Sequence, residues 1–166
     1  DIVPDKTSAR ELLKLPQGNK ILAVLPGSRL SEIQRLLPVF LEAMALLQIN
    51  DPELHFVIPA ANQACRVGIE ALLKNKTVSN LQISDGHAHE AMIAADAILL
   101  ASGTAALEAL LAKRPMVVAY RISSLTYFIV KTFGLMKITH YSLPNVLANE
   151  AVVPELMQEN CTAANI

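Results

Sequence analysis

Residues 97–120 read AILLASGTAALEALLAKRPMVVAY, and this stretch decides the fold. An apolar run typical of a buried strand leads through a small-residue turn, SGT, into a helix-forming segment over residues 105–112. A second apolar run follows over residues 115–120. A strand, a helix and a strand of these lengths predict two parallel strands joined by a right-handed crossover.

The alternation of strand and helix continues on the amino-terminal side of this stretch. We expect strands at residues 21–25, 54–58, 78–83, 97–100 and 115–120, and helices between them at residues 31–49, 62–74, 89–95 and 105–112. This rhythm predicts an α/β fold with a Rossmann-like, doubly wound and mostly parallel sheet. The third strand is more polar than the others, so we expect it near an edge.

Weaker patterns flank or interrupt these elements. Ser8 and Glu11 form a capping-box pattern that predicts a short helix ending at Leu15. Pro38 lies inside the long second helix and predicts either a kink or the true start of that helix.

The alternation stops after residue 120. Residues 122–141 are apolar and aromatic. Two interpretations are open for residues 124–138: a helix buried in the core, or a surface that packs on a missing domain or touches lipid. Residues 144–149 and 154–160 are each predicted to form a short helix.

Bulk composition narrows the class of protein. The 166 residues suffice for one domain with a substantial core, since 52% are hydrophobic and mean hydropathy is +0.37. With 14 basic and 15 acidic residues the net charge is −1, and no basic stripe is visible, so nucleic acid is not an expected partner. The two cysteines, Cys65 and Cys161, fit no metal or redox spacing and are expected to be reduced packing residues.

The ends of the chain suggest a part of a longer protein. No apolar run reaches the roughly 20 residues that a transmembrane helix needs, and no signal peptide opens the chain. The first residues are extended and lack a methionine. We therefore expect residues 1–18 to form a linker and a first helix, and residues 1–166 to be one domain of a larger chain.

The SGT turn predicts a binding site for a diphosphate. Ser102, Gly103 and Thr104 stand between a buried strand and a helix, where free backbone N–H groups favour an anion and glycine allows its close approach. Glu108 lies one helical turn further on, at a distance suited to a ribose diol. The alternatives remain an ordinary N-cap, Ser102 or Thr104, and a solvated glutamate.

Two arginines are expected on the same edge of the sheet. Gly27 and Ser28 form a turn after the first strand, and Arg29 can bind a phosphate through two N–H donors. Arg121 follows the fifth strand. Each arginine has an alternative assignment, Arg29 as a surface partner of Glu32 and Arg121 as a structural ion-pair partner.

Two other loops carry polar residues. Gly86 opens a loop whose backbone is suited to a flat base, while His87 and His89 alternate in that loop and do not predict a metal site. Asn145 either caps a short helix or, together with Glu150, binds sugar hydroxyls.

The chain resembles the lipid-A-disaccharide synthases, bacterial glycosyltransferases of the GT-B type, in three segments that fall in the family's order. They are LPGSRLSE at residues 25–32, DG..HEAMIAADAILLASGTAALEALLAKRPMVVAYR at residues 85–121, and SLPNVLAN at residues 142–149. LPGSR or SGT alone also occurs in other GT-B enzymes and in UDP-sugar epimerases, whereas the combination is specific. The resemblance covers nearly all of the chain from Ile21 onward.

The resemblance implies a reaction and a place for it. Members of the family transfer 2,3-diacylglucosamine from UDP-2,3-diacylglucosamine to 2,3-diacylglucosamine 1-phosphate, releasing UDP in lipid A biosynthesis. They act at the cytoplasmic face of the inner membrane as peripheral proteins, with no tightly bound metal or other cofactor. This chain resembles the C-terminal, donor-binding domain, so the acceptor domain and the catalytic base are expected outside it. The alternatives are a UDP-sugar epimerase-type domain and a non-catalytic nucleotide-binding module.

The resemblance also assigns roles to residues. It places Ser102, Gly103 and Thr104 at the diphosphate and Glu108 at the ribose. Arg29 is expected to neutralise phosphate charge. Asn145 is expected near the donor, and these last two are the candidates for a catalytic role. The predicted substrate-binding set is Gly27, Ser28, Arg29, Gly86, Ser102, Gly103, Thr104, Glu108, Arg121 and Asn145.

Overall fold

The computed structural model describes residues 5–74, 78–101, 103–122 and 140–166. Within those ranges the strands are β1 Ile21–Leu25, β2 His55–Ala60, β3 Leu81–Asp85, β4 Ala97–Ala101, β5 Met116–Tyr120 and β6 Glu155–Met157. The helices are α1 Lys6–Leu12, α2 Leu30–Asn50, α3 Gln63–Leu73, α4 Ala88–Ala94, α5 Ala105–Leu111 and α6 Leu143–Ala148, with a 3-10 turn at Gln158–Asn160.

The strands form one parallel sheet in the order β3-β2-β1-β4-β5-β6. The predicted Rossmann-like α/β fold is therefore confirmed. β3 lies at an edge, as its polar sequence predicted.

Helices cover both faces of the sheet because the strands are apolar on both sides. In β1, Ile21 and Ala23 pack into one hydrophobic core, while Val24 packs into the core on the opposite face. The first core also contains residues of α1, α4 and α5, and the second contains residues of α2 and α3. Continuous apolar strands are the expected sequence of a parallel sheet buried on both faces.

The long helix α2 begins at Leu30, so Pro38 does not mark its start. Pro38 lies inside the helix, between the buried residues Leu37 and Val39. A proline removes one backbone hydrogen bond from a helix interior. Burial of an apolar face along a 21-residue helix compensates for that loss.

The predicted cap of α1 was wrong. The Asp5 side chain accepts hydrogen bonds from the backbone N–H groups of Thr7 and Ser8, and the helix ends at Leu12 rather than at Leu15. Ser8 Oγ itself donates to Asp5 Oδ2 at 2.6 Å. The serine therefore supports the aspartate cap, because a carboxylate is the stronger acceptor for the free N–H groups.

The prediction of a helix over residues 154–160 was also wrong. Glu155–Met157 forms β6, which pairs in parallel with β5, and only Gln158–Asn160 is helical, as a 3-10 turn. The free edge of β5 offers backbone hydrogen bonds that a three-residue segment can take without strong strand propensity of its own.

Other expectations concern single residues and the chain ends. Cys65 and Cys161 are free and buried, as predicted. Residues 123–139 lie outside the described residues, so both interpretations of residues 124–138 stay predictions. No helix in the described part of the chain is both long enough and apolar enough to cross a membrane.

Candidate functional site

The centre of the sheet contains a point at which the chain changes direction. β1 and β4 are neighbours, but α2 leaves β1 towards one core and α5 leaves β4 towards the other. The loops after these two strands therefore separate and leave a crevice beyond the carboxyl ends of the strands. Ligands bind at such a crevice in open α/β sheets.

A cavity of about 470 Å³ occupies this crevice. It collects residues from the loops after β1, β3 and β4 and from the ends of β2 and β5. Its lining among the described residues is Leu25, Gly27, Ser28, Arg29, Glu32, Pro59, Ala60, Ala61, Gly86, Ala88, Met92, Ala101, Gly103, Thr104, Ala105, Glu108 and Tyr120. Seven of the ten predicted substrate-binding residues are among them.

The loop after β1 depends on Gly27. Its φ of +128° is a conformation that residues with a side chain rarely adopt, and an added Cβ would lie 2.4 Å from Glu32 Oε2. Glu32 reaches back from the first turn of α2 into the space beside this glycine. The glycine thus allows the chain to pass close to a carboxylate.

Arg29 has features of both roles that the sequence left open, a phosphate-binding residue and a surface partner of Glu32. Its guanidinium Nη1 lies 3.4 Å from Glu32 Oε1, which is the surface ion pair of the simpler interpretation. Its side chain is 79% exposed and also lines the cavity. An exposed pair at this distance is weak, so the guanidinium can turn to a phosphate at small cost.

The corner between β4 and α5 is open. Gly103 has a φ of +156°, and a Cβ added to it would meet no heavy atom within 4 Å. Thr104 makes no capping hydrogen bond with its side chain, so the ordinary N-cap interpretation does not describe it. Ser102 lies outside the described residues. Since α5 is only seven residues long, a bound anion would depend on nearby cations as well as on backbone N–H groups.

Glu108 lines the cavity from the first turn of α5. It shares that lining with Gly103 and Thr104 of the open corner, as a ribose contact beside a diphosphate requires. Gly86 lines the opposite part of the cavity, at the start of the loop before α4. The cavity therefore extends from the end of β3 to the corner after β4.

The loop after β3 shows an ion pair but no cluster of metal ligands. His87 Nδ1 lies 3.5 Å from Glu90 Oε2, and Asp85 accepts a hydrogen bond from Arg66 at 2.8 Å. No group of three or more His, Cys, Asp or Glu side chains suited to a metal ion occurs in the described part of the chain.

Arg121 is held by the carboxyl-terminal segment. Its guanidinium donates a hydrogen bond to the backbone carbonyl of Cys161, and it does not line the cavity. The structural alternative therefore accounts for the observed position of this side chain, and a contact of Arg121 with a ligand stays a prediction.

Asn145 is buried and fully engaged by hydrogen bonds. Its Nδ2 donates to the Val153 carbonyl and to Glu155 Oε1, both at 2.8 Å, and its Oδ1 accepts from the Val153 N–H at 2.9 Å. The side chain ties α6 to the segment before β6 and does not line the cavity. Its proposed place near a donor stays a prediction, and the exposed Glu150 does not line the cavity either.

The family of the chain follows from a comparison with protein-family models. The model described as lipid-A-disaccharide synthetase matches residues 2–166. The chain belongs to the lipid-A-disaccharide synthetase family.

Relatives within this family are closely similar over nearly the whole chain. A lipid-A-disaccharide synthase of Xanthomonas campestris pv. campestris (strain 8004) is 51% identical over 160 residues, which is 95% of this chain and 36% of the relative. One of Xylella fastidiosa (strain M23) is 53% identical over 161 residues, 96% of this chain and 42% of the relative. The chain thus spans about two fifths of the length of these lipid-A-disaccharide synthases.

Solved structures share the fold. The E. coli ADP-heptose LPS heptosyltransferase II superimposes with a TM-score of 0.63 at 15% identity, over 96% of this chain and 48% of that one. A UDP-GlcNAc 2-epimerase from Neisseria meningitidis superimposes with a TM-score of 0.53 at 19% identity, over 87% and 39% of the two chains. The fold therefore fits both a glycosyltransferase and an epimerase, whereas the sequence family is that of the lipid-A-disaccharide synthetases.

Sequence reasoning did not single out two polar residues that line the cavity of this family member. Tyr120 is the last residue of β5, and its place directly before Arg121 at the strand end was a usable signal. Glu32 was considered only as a partner of Arg29. Its position at N3 of a helix was the signal, because a glutamate at N3 commonly reaches back to the N-cap.

Two partly buried carboxylates away from the cavity have lowered pKa values. Burial opposes ionisation of Asp96, but hydrogen bonds from Lys6 and the Ile21 N–H and the charges of Lys6 and Arg10 outweigh it, so the pKa of Asp96 is lowered. The pKa of Glu155 is lowered in the same way. Burial is outweighed there by hydrogen bonds from the hydroxyl and N–H of Ser142, the N–H of Tyr141 and the Asn145 amide.

Proposed function

We propose that this chain is the donor-binding part of a glycosyltransferase. The enzyme would transfer 2,3-diacylglucosamine from UDP-2,3-diacylglucosamine to 2,3-diacylglucosamine 1-phosphate and release UDP, as a step of lipid A biosynthesis. One observation carries the proposal: the loops after β1 and β4 meet at one cavity, and Arg29, the corner residues Gly103 and Thr104, and Glu108 all line it. Membership of the lipid-A-disaccharide synthetase family supports this substrate class.

The cavity suggests an order for the parts of a nucleotide diphosphate. We assign the uracil to the Gly86 end, the ribose to Glu108 and the diphosphate to the corner at Gly103 and Thr104. Arg29 would supply the positive charge that stabilises the departing UDP. No metal or other cofactor enters this proposal.

The charges around the cavity predict weak binding by this chain alone. Among the described lining residues the charged side chains are Arg29, Glu32 and Glu108, which sum to −1. A diphosphate therefore meets one cation and two carboxylates. We propose that further contacts, the acceptor site and the general base come from sequence outside this chain, which spans about two fifths of its relatives.

A titration calorimetry experiment with UDP tests the donor site. Glu108→Ala is expected to weaken binding by about 1–3 kcal/mol if a ribose hydrogen bond is lost. Because uridine contains the same ribose, this variant is expected to weaken uridine binding as well. Arg29→Ala is expected to weaken UDP binding and to leave uridine binding nearly unchanged, since uridine carries no phosphate.

A matched control removes a carboxylate elsewhere on the same molecule. Glu42→Ala lies on the exposed side of α2, away from the cavity, and is expected to bind UDP like the parent chain. Failure of the parent chain to bind UDP, or equal effects of Glu42→Ala and Glu108→Ala, would contradict the proposed donor site.

Product analysis distinguishes the enzyme classes. We expect no disaccharide from this chain alone with both acylated substrates, and no epimerised product from UDP-N-acetylglucosamine. Disaccharide synthesis by the isolated chain would contradict the assignment of the general base to another part of the protein. If the chain is instead a non-catalytic module, the Glu108→Ala variant is expected to bind its protein partner as the parent does.

We also propose a peripheral location at the cytoplasmic face of the inner membrane. The support is the family's diacylated substrates, whose chains are held in a bilayer. Co-sedimentation of the full-length protein with vesicles of anionic phospholipid tests it, and full recovery in the supernatant would contradict it.

A further inference from the structure

The carboxylate of Glu32 is committed to the loop after β1. Its Oε2 accepts hydrogen bonds from the backbone N–H groups of Ser28 at 3.0 Å and of Arg29 at 3.3 Å. These N–H groups lie at the start of α2, where a phosphate would otherwise find free donors. The loop therefore offers a ligand the Arg29 side chain rather than the N–H groups of Ser28 and Arg29.

The same loop is held from a second side. Cys65 Sγ, on α3, donates to the Ser28 carbonyl at 3.3 Å, and the Asn62 side chain caps α3 through the Cys65 N–H. The backbone of Ser28 is thus fixed at both its N–H and its carbonyl. The Arg29 side chain beyond it remains 79% exposed.

Gly27 completes the arrangement. The close approach of Glu32 Oε2 to this glycine leaves no room for a Cβ. The carboxylate is therefore packed against the loop and is not an exposed partner that happens to lie near an arginine. The exposed fraction of the Glu32 side chain is 28%, far below that of Arg29.

We propose that Glu32 is a positioning residue for the diphosphate site. The Glu32 carboxylate fixes the backbone of the loop, so that the Arg29 side chain extends from the loop at the edge of the cavity. The carboxylate also occupies the N–H groups of Ser28 and Arg29, which would otherwise compete with the guanidinium for the ligand's phosphates. This inference rests on the proposed function, and it assigns to Glu32 an action through Arg29 rather than a contact with the donor.

The test combines two probes with two substitutions at Glu32. UDP is titrated by calorimetry, and uridine by ligand-observed NMR, into the parent chain, Glu32→Ala, Glu32→Gln and the control Glu42→Ala. We expect Glu32→Ala to weaken UDP about tenfold and uridine by less than about twofold. Glu32→Gln keeps an oxygen that accepts the loop N–H groups, so we expect it to recover UDP binding to within about threefold of the parent.

A double-mutant cycle tests the route of the effect. If Glu32 acts through Arg29, Glu32→Ala adds no further loss of UDP affinity in the Arg29→Ala background. Additive losses would overturn the inference. Tighter UDP binding by Glu32→Ala would overturn it as well, because the carboxylate would then act mainly by repelling the phosphates.

Three further results separate this inference from others. If Glu32→Ala loses uridine binding, Glu32 has a structural role only and the inference is overturned. The same holds if Glu32→Ala fails to fold and Glu32→Gln also loses uridine binding. In the second result, the parent binds UDP, Arg29→Ala weakens this binding and Glu32→Ala does not affect it. That result overturns the inference and leaves the proposed function intact. No UDP binding by the parent overturns both.

Discussion

At the scale of single residues, two glycines with positive φ angles shape the cavity. Gly27 has a positive φ and no room for a Cβ, whereas Gly103 has a positive φ beside open space. The first glycine makes contact with Glu32 possible, and the second leaves the corner accessible to a ligand. Both positions were identifiable from the sequence as turns, but their different surroundings depend on which side chains return to the loop.

Gly27→Ala is expected to destabilise the protein and the loop together. The strained φ and the displacement of Glu32 predict a loss of about 1–3 kcal/mol in the free energy of unfolding, with weaker UDP binding. Urea unfolding and UDP titration measure the two effects. Gly18→Ala is the control, because its Cβ would meet nothing within 4 Å and its φ is not in the left-handed region, so unchanged or slightly higher stability is expected. Equal stability of the two variants would contradict this reasoning.

At the scale of elements, α1 is held to the amino ends of the strands by a buried arginine. Arg10 is 3% exposed and pairs with Asp96 at 2.9 Å. Its other hydrogen bonds go to the backbone carbonyls of Pro16, Gln17, Asn19 and Ala94. This cluster lies at the end of the sheet opposite the cavity, so it supports the fold without touching the candidate site.

Arg10→Ala is expected to cost stability and to spare binding. Removing the guanidinium leaves four backbone carbonyls without their donor and takes one of two cationic partners from Asp96, which keeps Lys6. Several unsatisfied carbonyls predict a loss of about 3–5 kcal/mol in the free energy of unfolding. UDP affinity measured well below the unfolding temperature is expected to stay within about twofold of the parent. Arg35→Ala, on the exposed side of α2, is the matched control for the lost charge. A large loss of UDP affinity in folded Arg10→Ala would show coupling between the two ends of the sheet.

At the scale of the whole molecule, two partly buried carboxylates with lowered pKa values link folding to pH. Asp96 joins α1 to the start of β1, and Glu155 joins the segment before α6 to β6. A carboxylate whose pKa is lower in the folded state stabilises that state above its unfolded pKa. The stabilisation is lost as the pH falls through the folded pKa.

We therefore expect the free energy of unfolding to fall as the pH is lowered below about 5. Asp96→Asn and Glu155→Gln are each expected to be less stable than the parent near neutral pH and to show a shallower decline in acid. Chemical unfolding at a series of pH values measures this profile. Glu11→Gln, at an exposed position of α1, is expected to keep the parent's slope. An unchanged slope in both Asp96→Asn and Glu155→Gln would exclude these groups as its cause.

The sequence by itself determined the class of fold and most of the lining of the cavity. Apolar runs with helical segments between them specify a parallel sheet covered on both faces, because burial of those runs is a local and periodic property. The turns after β1, β3 and β4 were recognisable from their glycines, and their residues do meet at the strand ends.

Only the tertiary structure decided which partners the polar side chains take. The sheet order that places β1 beside β4 joins two loops about 75 residues apart, and the edge of β5 recruited β6 from a segment with little strand character. The tertiary structure also brings Arg121 to the Cys161 carbonyl and Asn145 to Val153 and Glu155. It places the Glu32 carboxylate beside the N–H groups of the loop after β1. A hydrogen-bond partner is chosen by proximity in space, which local patterns of sequence do not encode.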